Sequence, residues 1–290
     1  MTAIGSLEAG APLEGVFAVR RKERRLSRQG KPFLALTLAD ATGTVPAMVF
    51  DEADWFGEQF AEGDRVRVSG RVTERDGRRS VIVSHLRAAG DEAEAADLLP
   101  RSHRDPDELF GFVLHLADEV ADPGLRAVLD ALTGDDDLAR AWRTMPCTRS
   151  GHHAYMGGLV EHTVGVASVV QALTQWHPRL DADLLLAAAL VHDLGHARAF
   201  RLGATFELTD EGRLLGHVAI GHEIVGDAAR RAGLPAVRRA ELLHAIDWHH
   251  GPPPGQAPGA ASPEALALWR ANSLETAVKS RLEGPGPVEG

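Results

Sequence analysis

The sequence holds a single cysteine, Cys147, so no disulfide can form within the chain and a cluster of thiolates around a metal is excluded. A reducing cytoplasm is the expected setting. The chain also lacks a membrane-crossing run. Its most apolar stretch, Leu184 to Val191, falls far short of the roughly 20 residues that span a bilayer, so no membrane partner is expected. Residues 1–15 have neither a basic start nor a long apolar core, and no secretory signal is read there. No internal repeat is visible.

Basic charge is scarce overall. The net charge of −10 argues against a protein coated in nucleic acid, but the distribution matters more than the sum. Residues 1–90 carry 14 Lys/Arg against 12 Asp/Glu, and the remainder 17 against 29. Within the first part Arg20, Arg21, Lys22, Arg24, Arg25, Arg28 and Lys31 crowd one stretch against a lone Glu23. Such a cluster can pair with phosphates even on an acidic protein, and it can equally be a solvated hairpin tip.

A chain of 290 residues has room for one or two domains. Residues 13–88 read as β structure. Short apolar runs at Val16–Val19, Phe33–Ala39, Val45–Phe50, Val66–Val72 and Ser80–Val83 are separated by turn signals at Gln29-Gly30, Asp40–Gly43 and Asp76-Gly77. One break, Glu52–Phe60, sets Trp55, Phe56 and Phe60 at helical spacing. Five strands with a helix after the third predict a five-stranded OB barrel; an SH3-like barrel would leave the helix unexplained. Residues 89–106 are Ala- and acid-rich and read as a linker. From 107 to 282 the apolar spacing is helical, over Glu108–Val120, Leu125–Leu132, Gly158–Leu173, Ala182–His192, Leu214–Arg231, Val237–His250 and Pro263–Leu282. Asp181 stands as an N-cap, and Ser262-Pro263 as a cap followed by proline at the first helical position. Gly251–Ala261 reads as a mobile loop and Gly284–Gly290 as a frayed tail. The fold class is therefore β followed by α, in separate domains.

Most of the 14 histidines fall after residue 150. His162 lies among apolar residues. His192-Asp193 ends the apolar helix, His217 opens the next long one, and His249-His250 ends another. Burying imidazoles and a carboxylate at helix ends is costly unless they share a partner. Any one of them alone reads best as an ordinary hydrogen-bonded histidine. As a series they point to a divalent metal, and imidazole nitrogen with carboxylate oxygen suits Mn²⁺, Fe²⁺, Co²⁺ or Zn²⁺.

The ordered set His162, His192-Asp193, His217 and His249-His250 resembles the HD phosphohydrolase superfamily in its longer, two-metal form. Behind an OB-like start, the strings Gly30–Leu34, His152–Leu159, Asp210–His217 and His249–Gly251 resemble the YhaM-type 3′-to-5′ exoribonucleases over residues 13 to about 280. That resemblance implies one or two ions, Mn²⁺ foremost, on His162, His192, Asp193, His217 and His249. His250 would be a ligand or a substrate contact, and Asp193 would bridge the ions or orient a water. It also implies an OB barrel gripping single-stranded RNA or DNA by phosphate contacts and stacking. The barrel residues expected to do so are Arg20, Arg21, Lys22, Lys31 and Phe33, with Phe17 read as core. By analogy the chain would assemble as a homo-oligomer.

Two positions depart from the family pattern. Asn272 stands where the final ligand is an aspartate, leaving an uncharged amide oxygen as the donor, with Glu275 on the same face to restore charge. His196 stands where a lysine usually follows, and would serve as a phosphate-binding cation only when protonated, or as an added ligand. Three readings follow. The chain is an active nuclease in which Asp193, His196 and His250 act on the substrate, a strand-binding module without catalysis, or a hydrolase of small nucleotides.

Overall fold

In the computed structural model, residues 2–27, 29–90, 95–149, 151–252, 255, 257, 259 and 261–283 are described. Arg28, five positions of the Gly251–Ala261 loop and the Gly284–Gly290 tail lie outside them. The chain divides into two compact units, Met1–Pro100 with Leu202–Glu207, and Arg101–Arg201 with Leu208–Gly290.

The first unit is built on strands β1 (Pro12–Leu26), β2 (Pro32–Asp40), β3 (Gly43–Val49), β4 (Arg65–Arg75) and β5 (Arg78–Ala88). They close in the order β1-β2-β3-β5-β4, with β4 returning to β1. A single helical turn, α1 (Ala53–Gly57), joins β3 to β4. This is the five-stranded OB plan. Period-two alternation turns Leu34, Leu36 and Leu38 of β2 into the barrel, where they meet Phe17, Val66, Val68 and Val81.

Strand β1 runs well past the expected Val16–Val19. Backbone pairing carries it on, from Arg21 against Thr37 to Leu26 against Pro32, and a ladder of backbone bonds does not need apolar side chains. The expected helix over 52–60 shrinks to one turn because Glu52 sits in the left-handed region at φ 52°, while Phe60 enters the core from a loop. The stretch read as a linker holds a 3₁₀ turn, Ala95–Leu98, whose Leu98 packs with Val16, Ala18 and Ala39.

The second unit holds α2 (Pro106–Glu119), α3 (Pro123–Thr133), α4 (Asp136–Thr144), α5 (Gly158–Trp176), α6 (Ala182–Val191), α7 (His196–Ala199), α8 (Asp210–Leu214), α9 (Gly216–Arg231), α10 (Ala236–Asp247) and α11 (Pro263–Glu283). Two three-residue strands, β6 (Phe200–Leu202) and β7 (Phe206–Leu208), lie between α7 and α8. Helix α6 is buried from Leu184 to Val191, among α5, α10 and α11. A helix that is apolar all round belongs at the centre of its domain. Asp181 caps it, accepting from Leu184 N, and Ser262 Oγ accepts from Ala265 N at the start of α11.

Helix α4 was not expected, because Asp136–Thr144 carries only two large apolar residues, Leu138 and Trp142. Trp142 is fully buried and donates to Thr163 Oγ1 at 3.1 Å. The expected Leu214–Arg231 helix is broken at Gly216, at φ +75°, so α9 starts afresh just before His217.

Candidate metal centre and nucleic-acid face

Four helix ends deliver the predicted side chains to one point. His162 lies on the second turn of α5, His192 caps α6, and His217 opens α9. His249 and His250 follow α10. The turn His192–Gly195 folds Asp193 back among them. A Cβ on Gly195 would lie 1.9 Å from the His217 carbonyl oxygen, so only glycine lets this turn approach α9 so closely.

Asp193, 3% exposed, is the hub. Its Oδ2 stands 3.4 Å from His162 Nε2 and 3.6 Å from His192 Nε2. Its Oδ1 stands 3.1 Å from His249 Nε2, 3.4 Å from His217 Nε2 and 4.0 Å from His196 Nε2. His217 Nε2 and His250 Nε2 are 2.9 Å apart.

The hydrogen bonds on the far sides of three rings fix what faces Asp193. His192 Nδ1 meets the Ala189 carbonyl at 2.8 Å, His249 Nδ1 the Ile246 carbonyl, and His162 Nδ1 the Glu275 carboxylate at 2.6 Å. Each acceptor requires a proton on Nδ1, which leaves Nε2 as the nitrogen turned toward the carboxylate. His162 Nε2 and His192 Nε2 are 3.2 Å apart. Asp193 Oδ1 and His249 Nε2 are buried with no hydrogen-bond partner. A buried carboxylate oxygen and a ring nitrogen left facing each other without a donor need a cation between them. The residues fit a divalent metal, and the donors group as His162, His192 and Asp193, and as Asp193, His217, His249 and His250.

Electrostatics agree. Burial pushes the Asp193 carboxyl up, but the imidazoles around it outweigh that and hold it well below the carboxylate range. Burial also opposes a charge on His162, yet bonds to Asp193 and Glu275 raise it to about 9, so without an ion its Nε2 carries a proton toward Asp193 that a bound cation would displace. His192, buried next to other imidazoles, falls to about 3. The site therefore favours positive charge at one locus and neutral rings around it.

His196 is buried, its ring stacked on His217 with centroids 4.0 Å apart and lying 5.4 Å from that of Phe200. Burial drives its pKa well down, so the ring is neutral and the role of a phosphate-binding cation does not fit it. His250 is more open, and burial with the neighbouring His249 lowers it to about 4. Asn272 is buried, its Nδ2 donating to the His249 carbonyl at 3.1 Å and its Oδ1 accepting from Thr276 at 3.4 Å. It braces the turn that carries His249.

Two participants, His153 and Cys147, were not read as part of the site in the sequence, and Glu275 was read in a lesser role. His153 Nε2 lies 2.8 Å from Glu275 Oε1, with Tyr155 Oη on its other nitrogen at 2.9 Å. Glu275 was read only as a stand-in for lost charge; it grips both His153 and His162. Cys147 Sγ donates to Asp193 Oδ2 at 3.4 Å. The His152-His153 pair was the available signal, but nothing local marks which of two adjacent histidines turns inward.

On the barrel, the predicted basic residues divide. Lys22 Nζ donates to the Gly57 and Phe60 carbonyls and sits 5.0 Å from the Phe60 ring centroid, so its charge is spent inside the unit. Arg21 and Arg25 both reach the Glu23 carboxylate, and Arg24 pairs with Asp54 at 2.6 Å. Arg20 is part-buried, and burial lowers its pKa. Lys31 is exposed. Phe17 is core, as expected. Phe33 lies on the outer face of β2 with its ring 5.5 Å from that of Phe50, which is 46% exposed. Phe50, missed in the sequence because it ends an apolar run, completes an aromatic pair.

The OB-fold nucleic acid binding domain family matches residues 16–89, and the HD domain family matches residues 159–277. It is an OB-fold protein with a C-terminal HD domain. The chain is 28% identical over 245 residues to the 3′-5′ exoribonuclease YhaM of Halalkalibacterium halodurans, covering 84% of this chain and 76% of that one. It is likewise 28% identical over 246 residues to the protein of the same name from Bacillus velezensis, covering 84% and 78%. Among solved structures, the second OB-fold domain of replication protein A from Methanococcus maripaludis aligns at 20% identity and a TM-score of 0.26, covering 32% of this chain and 98% of that one. The HD match contains every histidine of the hub, with Asp193. Among the described residues no helix is long and apolar enough to cross a membrane.

Proposed function

We propose that the protein is a metal-dependent phosphodiesterase that degrades single-stranded nucleic acid, acting as a 3′-to-5′ exoribonuclease. One observation carries this reading: Nε2 of His162, His192 and His249 all face the buried Asp193 carboxylate. The similarity to proteins named 3′-5′ exoribonuclease YhaM over 84% of the chain supports it. His162, His192 and Asp193 would hold one ion, and Asp193 with His217, His249 and His250 a second. Imidazole and carboxylate donors suit Mn²⁺, Fe²⁺, Co²⁺ or Zn²⁺. When bound, a divalent ion lowers the pKa of water and polarises a phosphoryl oxygen.

The chain's own groups do the positioning. Asp193 ties the two donor sets together through one oxygen each. Glu275 holds His162 in the tautomer that faces them and, held down to about 2 by its hydrogen bonds to His153 and His162 against the opposing effect of burial, supplies the negative charge that Asn272 lacks. His250 is the most exposed ring of the set and would touch the substrate as a neutral imidazole. Phe33 and Phe50 would stack bases, with Lys31 and Arg21 near the backbone phosphates.

Labelled single-stranded RNA and DNA, each with a free or a blocked 3′ end, incubated with Mn²⁺ and the purified protein, test the proposal. The expected result is stepwise shortening of RNA from the free end, abolished by His192→Ala or Asp193→Ala. Intact RNA that stays bound by the wild-type protein would sink the hydrolase reading. It would leave a strand-binding protein, the alternative that the uncharged Asn272 favours.

A further inference from the structure

We propose that Cys147, Asp193 and His196 form an additional metal position beside the histidine centre, one with a sulfur donor that takes a thiophilic divalent cation such as Zn²⁺ or Co²⁺. This rests on the metal-binding reading above. Cys147 sits between α4 and α5, where its backbone N–H donates to the His153 carbonyl at 3.1 Å and aims its side chain inward. The thiol is 3% exposed and 3.4 Å from Asp193 Oδ2. Its donor atom and one each from Asp193 and His196 all lie within 4.8 Å of one another. Metal–sulfur and metal–oxygen bonds of about 2.3 and 2.0 Å at a tetrahedral angle set a sulfur–oxygen edge of about 3.5 Å. The observed 3.4 Å separation matches that edge.

A buried cysteine that merely fills the core would account for the thiol's bond to Asp193. It would not account for what lies beside it. Asp193 Oδ1, 3% exposed, and His196 Nδ1, on a residue 8% exposed, have no hydrogen-bond partner. Stacking against His217 fixes the plane of the His196 ring, with Nε2 4.0 Å from Asp193 Oδ1. Binding balances as a sulfur–metal bond formed and a sulfur–hydrogen bond broken, with the thiol proton passing to the buffer. A thiolate in the donor set biases the site toward softer transition metals and away from Mg²⁺ and Mn²⁺.

Cobalt makes the test decisive because the chain has one cysteine. Any sulfur-to-cobalt charge-transfer band in the near-ultraviolet must come from Cys147. The full-length protein is stripped with a chelator and titrated with Co²⁺, with bound metal counted by mass spectrometry. The expected spectrum has visible ligand-field bands and the near-ultraviolet band. Cys147→Ser should keep the visible bands and lose the other, and His196→Ala should weaken it. Bound cobalt with visible bands but no near-ultraviolet band overturns the sulfur site and leaves the histidine centre standing. No bound cobalt overturns both. Should the serine variant fail to fold, the wild-type spectrum decides alone.

Discussion

Glu275 Oε2 stands 2.6 Å from Nδ1 of His162, on the opposite side of the ring from the nitrogen that faces Asp193. A carboxylate behind a metal-binding imidazole fixes its tautomer and raises its basicity, and removing such a partner typically costs about 10–100-fold in metal affinity. Glu275→Ala is expected to weaken Mn²⁺ binding by that order in isothermal titration. Glu275→Gln should lose less, since its amide oxygen still accepts from Nδ1. Equal affinity in all three proteins would remove Glu275 from the centre.

A centre that binds metal only when folded couples binding to stability. Saturating Mn²⁺ should raise the thermal midpoint, with about 2.7 kcal/mol gained at a hundredfold excess over Kd. Asp193→Asn breaks both donor sets, so its midpoint should not respond to the ion. Differential scanning fluorimetry with and without chelator reads this directly.

Phe33 and Phe17 belong to one barrel but face opposite ways, and substitution should separate them. Phe33→Ala and Phe50→Ala should leave the fold intact and weaken single-stranded RNA binding, by about 1–3 kcal/mol for each stacked base. Phe17→Ala empties a core position and should cost about 3–5 kcal/mol of stability. Fluorescence anisotropy on the first pair and urea unfolding on the third make the comparison. Unchanged RNA affinity for Phe33→Ala would remove it as a platform.

Arg238 ties two helix caps together, reaching Asp181 Oδ2 at 2.6 Å and Asp122 Oδ2 at 3.1 Å. Burial pushes both carboxyls up, but for Asp181 the bonds to Arg238 and Leu184 N, and for Asp122 the bonds to Leu125 N, Gly124 N and Arg238, outweigh it and lower both. Carboxyls depressed in the folded state contribute stability above their unfolded pKa and lose it as pH falls through the folded value. Arg238→Gln should therefore lower the thermal midpoint at pH 7 and narrow that difference from wild type as the pH drops below about 4. Asp181→Ala should cost about 1 kcal/mol through the lost cap. A pH series of thermal melts checks both, and a gap that stays constant into acid would contradict the account.

The β-then-α order, the five-strand barrel and the buried α6 were legible because each rests on a local period, two for strands and 3.6 for helices. The hub was legible too. His162, His192, Asp193, His217 and His249 each stand at a helix end or turn where a polar side chain makes no sense without a partner. Local pattern failed where stability comes from elsewhere. Strand β1 extends through arginines because β2 supplies its backbone partners, and α4 exists because Trp142 finds Thr163. The sequence alone thus determined which helices carry the histidines and Asp193. Tertiary packing decided the rest. It set the Lys22 ammonium on the Gly57 and Phe60 carbonyls, paired Phe50 with Phe33, brought Glu275 behind His162 across 113 residues, and placed Cys147 on Asp193 across 46. A hydrogen bond is fixed by distance and angle in space, and no spacing along the chain encodes where two distant segments meet.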